Sequence, residues 1–174
     1  MPTVTTRPVT DANWQTALAL DIEPDQRNFT PSVAISLAKA YIQPDGLAYD
    51  PVAIYAGATM VGFYSFIYKP GDLRYCYLGG FLIDKAHQGR GYGRAALADF
   101  IATVQRSYPH CRDILLSVHP QNERAQQLYT RLGFVKTGDI YDGEVVMRRV
   151  LPQNGRDLPP TDLVKKIQLT SSND

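Results

Sequence analysis

Residues 87–97 read His-Gln-Gly-Arg-Gly-Tyr-Gly-Arg-Ala-Ala-Leu, three glycines at alternating positions among two arginines, directly before a helical pattern. A helix start offers backbone N–H groups with no intrahelical partner, together with the positive end of the macrodipole. Glycines let a ligand approach that backbone closely. The chemistry implied is anion capture, with a phosphate as the natural anion. Two other groups could do chemistry. Asn122 and Tyr129 are polar residues in an otherwise apolar helical stripe, and Asp21, Glu23 and Asp25 form an acidic cluster in the first third of the chain.

These residues need elements to hold them. A first strand is expected at 3–9, followed by a short helix with Trp14, Ala17 and Leu18 on one stripe. Thr30-Pro31 reads as an N-cap with proline at the first helical position. Behind it, Ala34, Leu37, Ala38 and Tyr41 fall at helical spacing, and Pro44-Asp45-Gly46 ends that helix. Strands follow at 51–57, 59–69 and 75–84. The glycine run then opens a helix whose Leu97, Phe100, Ile101 and Val104 share a face. The nearly all-apolar 113–118 should be a strand covered on both sides. A helix over 122–132 carries Ala125, Leu128, Tyr129 and Leu132 on one stripe. A hairpin turning at Asp142-Gly143 closes the domain. The expected fold is α/β with a mixed sheet, in the order β-α-α-β-β-β-α-β-α-β-β, over residues 1–150. Residues 151–174 read as a polar tail, with a short helix near 163–169. Strand 75–84, the glycine-run helix and strand 113–118 make a right-handed β-α-β unit with parallel strands. Its ligand belongs at their carboxyl ends, where the glycines lie.

Three phosphate-binding readings compete. A Walker-type loop fails, because no Lys-Ser or Lys-Thr follows the glycines. Gly91, Gly93 and Ala96 fit a dinucleotide fingerprint, but seven residues separate the strand from Gly91 where a tight turn is required. The acid expected at the end of the next strand stands instead at its start, as Asp113. The third reading uses both blocks. Gln88-x-x-Gly91-x-Gly93 between strand and helix resembles the acyl-CoA pyrophosphate loop of the GNAT superfamily of N-acetyltransferases. Asn122, Ala125, Leu128-Tyr129 and Leu132-Gly133-Phe134 are similar to its second conserved segment. Within the superfamily, residues 78–93 and the front of the chain look nearest to bacterial spermine/spermidine acetyltransferases.

The resemblance implies acetyl-CoA as the acetyl donor and a small-molecule amine as the acceptor, with a polyamine favoured. It implies that backbone N–H groups of Gly89, Arg90, Gly91, Tyr92, Gly93 and Arg94, with Gln88, hold the pyrophosphate. The backbone of Phe81, Leu82 and Ile83 would pair with the pantetheine arm where the strand splays at Gly79-Gly80. Asn122 would hydrogen-bond that arm, although by residue type alone it is equally an N-cap. Tyr129, otherwise a core tyrosine, would protonate the departing thiolate. Glu23 and Asp25, with Asp21, would face the amine's ammonium groups, against the plainer reading of a solvated acidic loop. No strand carboxylate is available as the base between Tyr75 and Ile83. A water chain, Tyr64, Tyr77 or a front-helix acid stay open, while His87 and His119 read as solvated loop residues.

Bulk properties fit this reading. Residues 1–66 hold six acids against three bases, a net charge of −3, and the remainder is +4. An anionic front for a cationic substrate and a cationic rear for an anionic one would look like this. Neither a strong basic excess nor a helix-turn-helix supports nucleic-acid binding. There is no long apolar run and no signal-peptide pattern, so a cytoplasmic protein without membrane contact is expected. Cys76 and Cys111 read as buried thiols without metal-ligand spacing, so no metal is expected. No cysteine has a histidine partner in the predicted site, which points to direct attack rather than an acyl-enzyme. Other amine acceptors, or a non-catalytic acyl-CoA-binding module, are the alternatives, and a homodimer is left open.

Overall fold

A computed structural model describes residues 2–152 of the 174. The chain folds as β1 (Thr5–Pro8), α1 (Trp14–Leu18), α2 (Val33–Ile42), β2 (Ala48–Ala56), β3 (Thr59–Lys69), β4 (Asp72–Ile83), α3 (Tyr92–Ser107), β5 (Asp113–Val118), α4 (Glu123–Arg131), β6 (Val135–Tyr141) and β7 (Glu144–Val150). This is the expected element order. The seven strands form one mixed sheet in the order β1-β2-β3-β4-β5-β7-β6. All neighbours are antiparallel except β4 and β5, which α3 joins as a parallel pair. No helix among the described residues is long and apolar enough to cross a membrane. The helix expected at 163–169 lies outside the described residues.

The two faces of the sheet carry separate cores. On one, α3 inserts Leu97, Phe100, Ile101 and Val104 against Ile54, Tyr64, Phe66, Ile114 and Leu116, joined by Tyr129 and Phe134. This is the face the helical spacing of the glycine-run helix predicts. On the other, Ala17 and Val33 cover Ala53, Tyr55, Phe63 and Leu82. Cys76 and Cys111 are buried in the first core, where the Cys111 thiol donates to Cys76 Sγ at 3.7 Å. Packed chain continues to Leu151, which is buried and donates its N–H to the Arg112 carbonyl.

The front helices depart from expectation. The N-cap of α2 is Ser32, whose side chain accepts from the Ile35 N–H, so the helix starts after Thr30-Pro31. Its buried face is Val33 and Ser36 with half-buried Leu37, and Tyr41 is 91% exposed. Trp14 and Leu18 are likewise exposed, leaving Ala17 as the anchor of α1. Both helices are apolar on several sides, so spacing alone could not say which stripe meets the sheet. The small residues Ala17 and Ser36 win because they let the helices approach the strands.

Strand β4 is bent at its two adjacent glycines. Phe63 of β3 pairs with Leu82 and Ser65 with Gly79, so two β4 residues stand opposite one on β3. This is a β-bulge. Gly80 carries it with φ +57°, and a side chain there would lie 2.8 Å from the Ser36 hydroxyl. Gly80→Ala should therefore lower stability by about 1–3 kcal/mol, the cost of a left-handed non-glycine residue. A thermal melt reads this as a reduced Tm; an unchanged Tm would mean the bulge is not held by this contact.

Candidate active site

Parallel pairing between β4 and β5 covers only Tyr75–Asp113, Cys76–Ile114 and Tyr77–Leu115. Beyond Tyr77 the bulged β4 diverges, and residues 78–83 present a strand edge inside the protein. A cleft of about 1360 Å3 occupies the opening. That exceeds the several hundred Å3 of a usual ligand pocket and leaves room for a long cofactor arm and a second substrate. Its floor is one row across the sheet, Tyr49, Ile67, Tyr77 and Leu115, in successive register.

The glycine run forms the upper rim. Gly91 caps α3 in the left-handed region at φ +84°, and Gly89 has φ +76°. The turn they make brings the first turn of α3 to the cleft, which Gly89, Gly91, Tyr92, Gly93 and Arg94 line. Arg90 is exposed and outside that lining. Gln88 is structural as well. Its Nε2 donates to the Ile83 carbonyl at 2.9 Å and to Gln26 Oε1 at 2.8 Å, while Gln26 Nε2 donates back at 3.1 Å. It ties the end of β4 to the front loop. Asp84 adds a second tie, accepting from the Asp21 and Ala86 N–H groups, each at 2.9 Å.

Phe81, Leu82 and Ile83 line the cleft along the free β4 edge. Facing them is the start of α4, where Asn122 Oδ1 accepts from the Ala125 N–H at 3.1 Å. The N-cap reading of Asn122 therefore holds. Its amide NH2 is not used by the cap, and the residue also lines the cleft. Tyr129 lies two turns further along, 6% exposed, packed on Phe134 and lining the cleft. Burial pushes its phenol well above the ordinary tyrosine range, and the Glu144 carboxylate adds to the shift.

The front acids separate. Asp25 lines the cleft, but Glu23 is exposed outside it at the start of a short turn. Asp21 pairs with Lys85 at 2.8 Å and Arg27 at 3.5 Å, and the Lys85 contact holds its carboxyl below the ordinary range. Among the open choices for a base, Tyr64 lies in the α3-side core outside the cleft's lining, edge-on to Phe100 at 5.2 Å, with its phenol pushed up to about 12 by burial. Tyr77 does line the cleft, but burial raises its phenol far above the range in which it ionises near neutrality. His119 also lines the cleft; its ring lies 5.0 Å from Phe29 and its Nδ1 accepts from the Gln121 N–H at 3.2 Å. His87 sits edge-on to Tyr92.

Sequence reasoning missed a further wall. Tyr49, Tyr141, Asp142 and Glu144 line the cleft alongside Tyr77; desolvation raises the Tyr49 and Tyr141 phenols, and nearby Asp45 adds to both shifts. Ser117 of β5 donates its hydroxyl proton in a short hydrogen bond to Glu144 Oε2. The signal was weak. Glu144 follows a predictable Asp142-Gly143 turn, but only the placement of β7 beside β5 brings it to Ser117.

The chain belongs to the acetyltransferase (GNAT) family, whose model matches residues 14–134. It is an N-acetyltransferase that takes its acetyl group from acetyl-CoA, and the open β4 edge beside a glycine-capped helix start fits that donor. A probable spermine N(1)-acetyltransferase from Bacillus subtilis subsp. natto is 32% identical over 148 residues, covering 82% of this chain and 95% of that protein. Spermine/spermidine N(1)-acetyltransferase from Bacillus subtilis strain 168 is 31% identical over the same span. Among solved structures, spermidine N-acetyltransferase from Vibrio cholerae in complex with CoA and spermine superposes with a TM-score of 0.65 at 18% identity, covering 85% of this chain and 95% of that one.

The cap gives a direct test of the α4 start. Asn122→Ala should cost about 1 kcal/mol of stability, whereas Asn122→Asp, which keeps an accepting oxygen, should cost less. Urea unfolding checks both; equal losses would remove the cap as the reason for Asn122.

Proposed function

We propose that this enzyme acetylates a primary amine of a small polycation, a polyamine such as spermidine or spermine, by direct attack in a ternary complex. The observation that carries the reading is the cleft's lining, which joins a glycine-capped helix start to a wall of tyrosines and carboxylates. The first suits a pyrophosphate and the second suits alkylammonium groups, through charge and through cation–π contact with the phenol rings. The names of the two Bacillus relatives agree with it.

In this reading the N–H groups of residues 89–93 hold the pyrophosphate, with Arg94 at the rim and Arg90 supplying charge from outside it. Gln88 keeps the loop and β4 in register. The β4 edge at Phe81, Leu82 and Ile83 pairs with the extended pantetheine arm as a strand would. The free amide NH2 of Asn122 donates to the same arm. Asp25 and, at the outer rim, Glu23 attract the distal ammonium groups of the acceptor.

The amine nitrogen attacks the thioester carbonyl carbon, the C–N bond forms and the C–S bond breaks. Tyr129 gives its proton to the leaving sulfur. A phenol of pKa about 10 and a thiol of about 8.5 make that transfer uphill by about 2 kcal/mol. Burial raises the Tyr129 phenol further, but the thiolate is an anion in the same dry cleft and is destabilised alongside it. Burial also keeps Tyr129 protonated at neutral pH, the state from which an acid must start.

Two measurements test the reading. Spermidine and spermine should be turned over with release of free CoA, at higher kcat/KM than aminoglycosides, amino acids or peptide N-termini. Turnover confined to the latter group would overturn the polyamine assignment. Tyr129→Phe should lower kcat by about 10²-fold or more with acetyl-CoA affinity retained, in line with typical acid–base contributions. An unchanged kcat would remove Tyr129 as the acid.

A further inference from the structure

We infer that Glu144, held by Ser117, is the proton acceptor for the attacking amine. This rests on reading the cleft as the transfer site, and it fills the role for which the sequence offered no strand carboxylate.

The need is set by chemistry. An alkylamine of pKa near 10.4 is almost wholly protonated at neutral pH, and an ammonium cannot attack a carbonyl carbon. One N–H bond must break before the C–N bond forms, and its proton needs an acceptor inside the cleft. Between Tyr75 and Ile83, β4 has no carboxylate. The tyrosines of the wall are poor acceptors, since a phenol is already protonated at neutral pH and Tyr49, Tyr77 and Tyr141 are all shifted further up.

Glu144 is placed differently. Its backbone opens β7 immediately after the Asp142-Gly143 turn, half-buried, with the carboxylate in the cleft. One oxygen, Oε2, accepts from Ser117 of the neighbouring strand. That bond fixes the side chain across two strands and leaves Oε1 for an incoming N–H. The same carboxylate lies near enough to Tyr129 to add to the upward shift that burial gives its phenol, and both residues line the cleft. The titratable and charged groups of the cleft's lining on these elements are Tyr49 from β2, Tyr77 from β4, His119 after β5, Glu123, Arg124, Tyr129 and Arg131 from α4, Tyr141 and Asp142 from the hairpin, and Lys39 from α2. Of the rival acceptors, Asp142 is exposed on the turn and Glu123 stands at the start of α4, two turns from Tyr129, while the His119 ring lies against Phe29 with Nδ1 already engaged.

The proton balance closes. The ammonium gives one proton to Glu144, which returns it to solvent. The neutral amine attacks, Tyr129 protonates the departing sulfur, and the second amine proton, lost as the amide forms, restores the Tyr129 phenol. The net products are the acetamide, free thiol CoA and one released proton.

Glu144→Gln keeps the shape of the side chain and a carbonyl oxygen for Ser117, and removes the basicity. Turnover of spermidine at pH 7 should fall by about 10²-fold or more, with acetyl-CoA affinity and Tm held near wild type. The loss should shrink steeply as pH rises toward 10, because the free amine then exists without a base. His119→Gln should show no such pH-dependent loss. A Glu144→Gln deficit that stays constant from pH 7 to 10, or a pH-dependent deficit in His119→Gln instead, would overturn the inference. Wild-type turnover of no amine at all would instead sink the transfer-site reading beneath it, so the two failures are distinguishable.

Discussion

The short parallel pairing of β4 with β5 is the constraint on which the rest depends. Three residue pairs hold the strands together, and the bulge at Gly79-Gly80 then turns β4 away. A flat, fully paired β4 would satisfy its own edge with β5 and close the interior to any ligand. Opening the strands takes the β5 ladder away from residues 78–83 in a partly buried place, a loss that is costly unless a side chain, as Gln88 does at the Ile83 carbonyl, or water or a ligand makes it up. The structure tolerates this because both faces of the remaining sheet are well packed, with Phe63 and Phe134 wholly buried on opposite sides.

Everything that lines the cleft is positioned by that opening. On its far side, α4 brings Asn122 and Tyr129 toward the gap, and on its near side the Gln88–Gln26 pair ties the glycine loop to the front of the molecule. The hairpin of β6 and β7 adds Glu144 from the one strand inserted out of chain order.

Much of this was legible in the sequence. Element order, the parallel crossover, the α3 core face and the glycine-led helix all follow from local spacing, because each is a contact within one element or between chain neighbours. The α4 stripe was legible for the same reason, with Tyr129 on it. Which side of α2 meets the sheet was not, since Ala34, Leu37, Ala38 and Tyr41 compete with Val33 and Ser36 on a helix apolar almost all round. Closeness of backbone approach decided it, and spacing carries no measure of that. The tyrosine and carboxylate wall was illegible for a different reason. Tyr49, Tyr77, Tyr141 and Glu144 sit on four different strands, and only sheet order and register bring them together. The front acids, by contrast, drew notice as a cluster, yet Asp21 is consumed by Lys85 and Arg27.

One cleft is proposed to hold the acetyl donor along the β4 edge and a polyamine against the tyrosine and carboxylate wall. A crystal structure with CoA and spermine bound together tests it most directly. The account predicts the pyrophosphate on the N–H groups of residues 89–93, the sulfur between Tyr129 and the point where β4 and β5 part, and a spermine nitrogen in hydrogen-bond contact with Glu144. CoA seated away from the β4 edge, or spermine bound with no nitrogen near Glu144 or the sulfur, would contradict it.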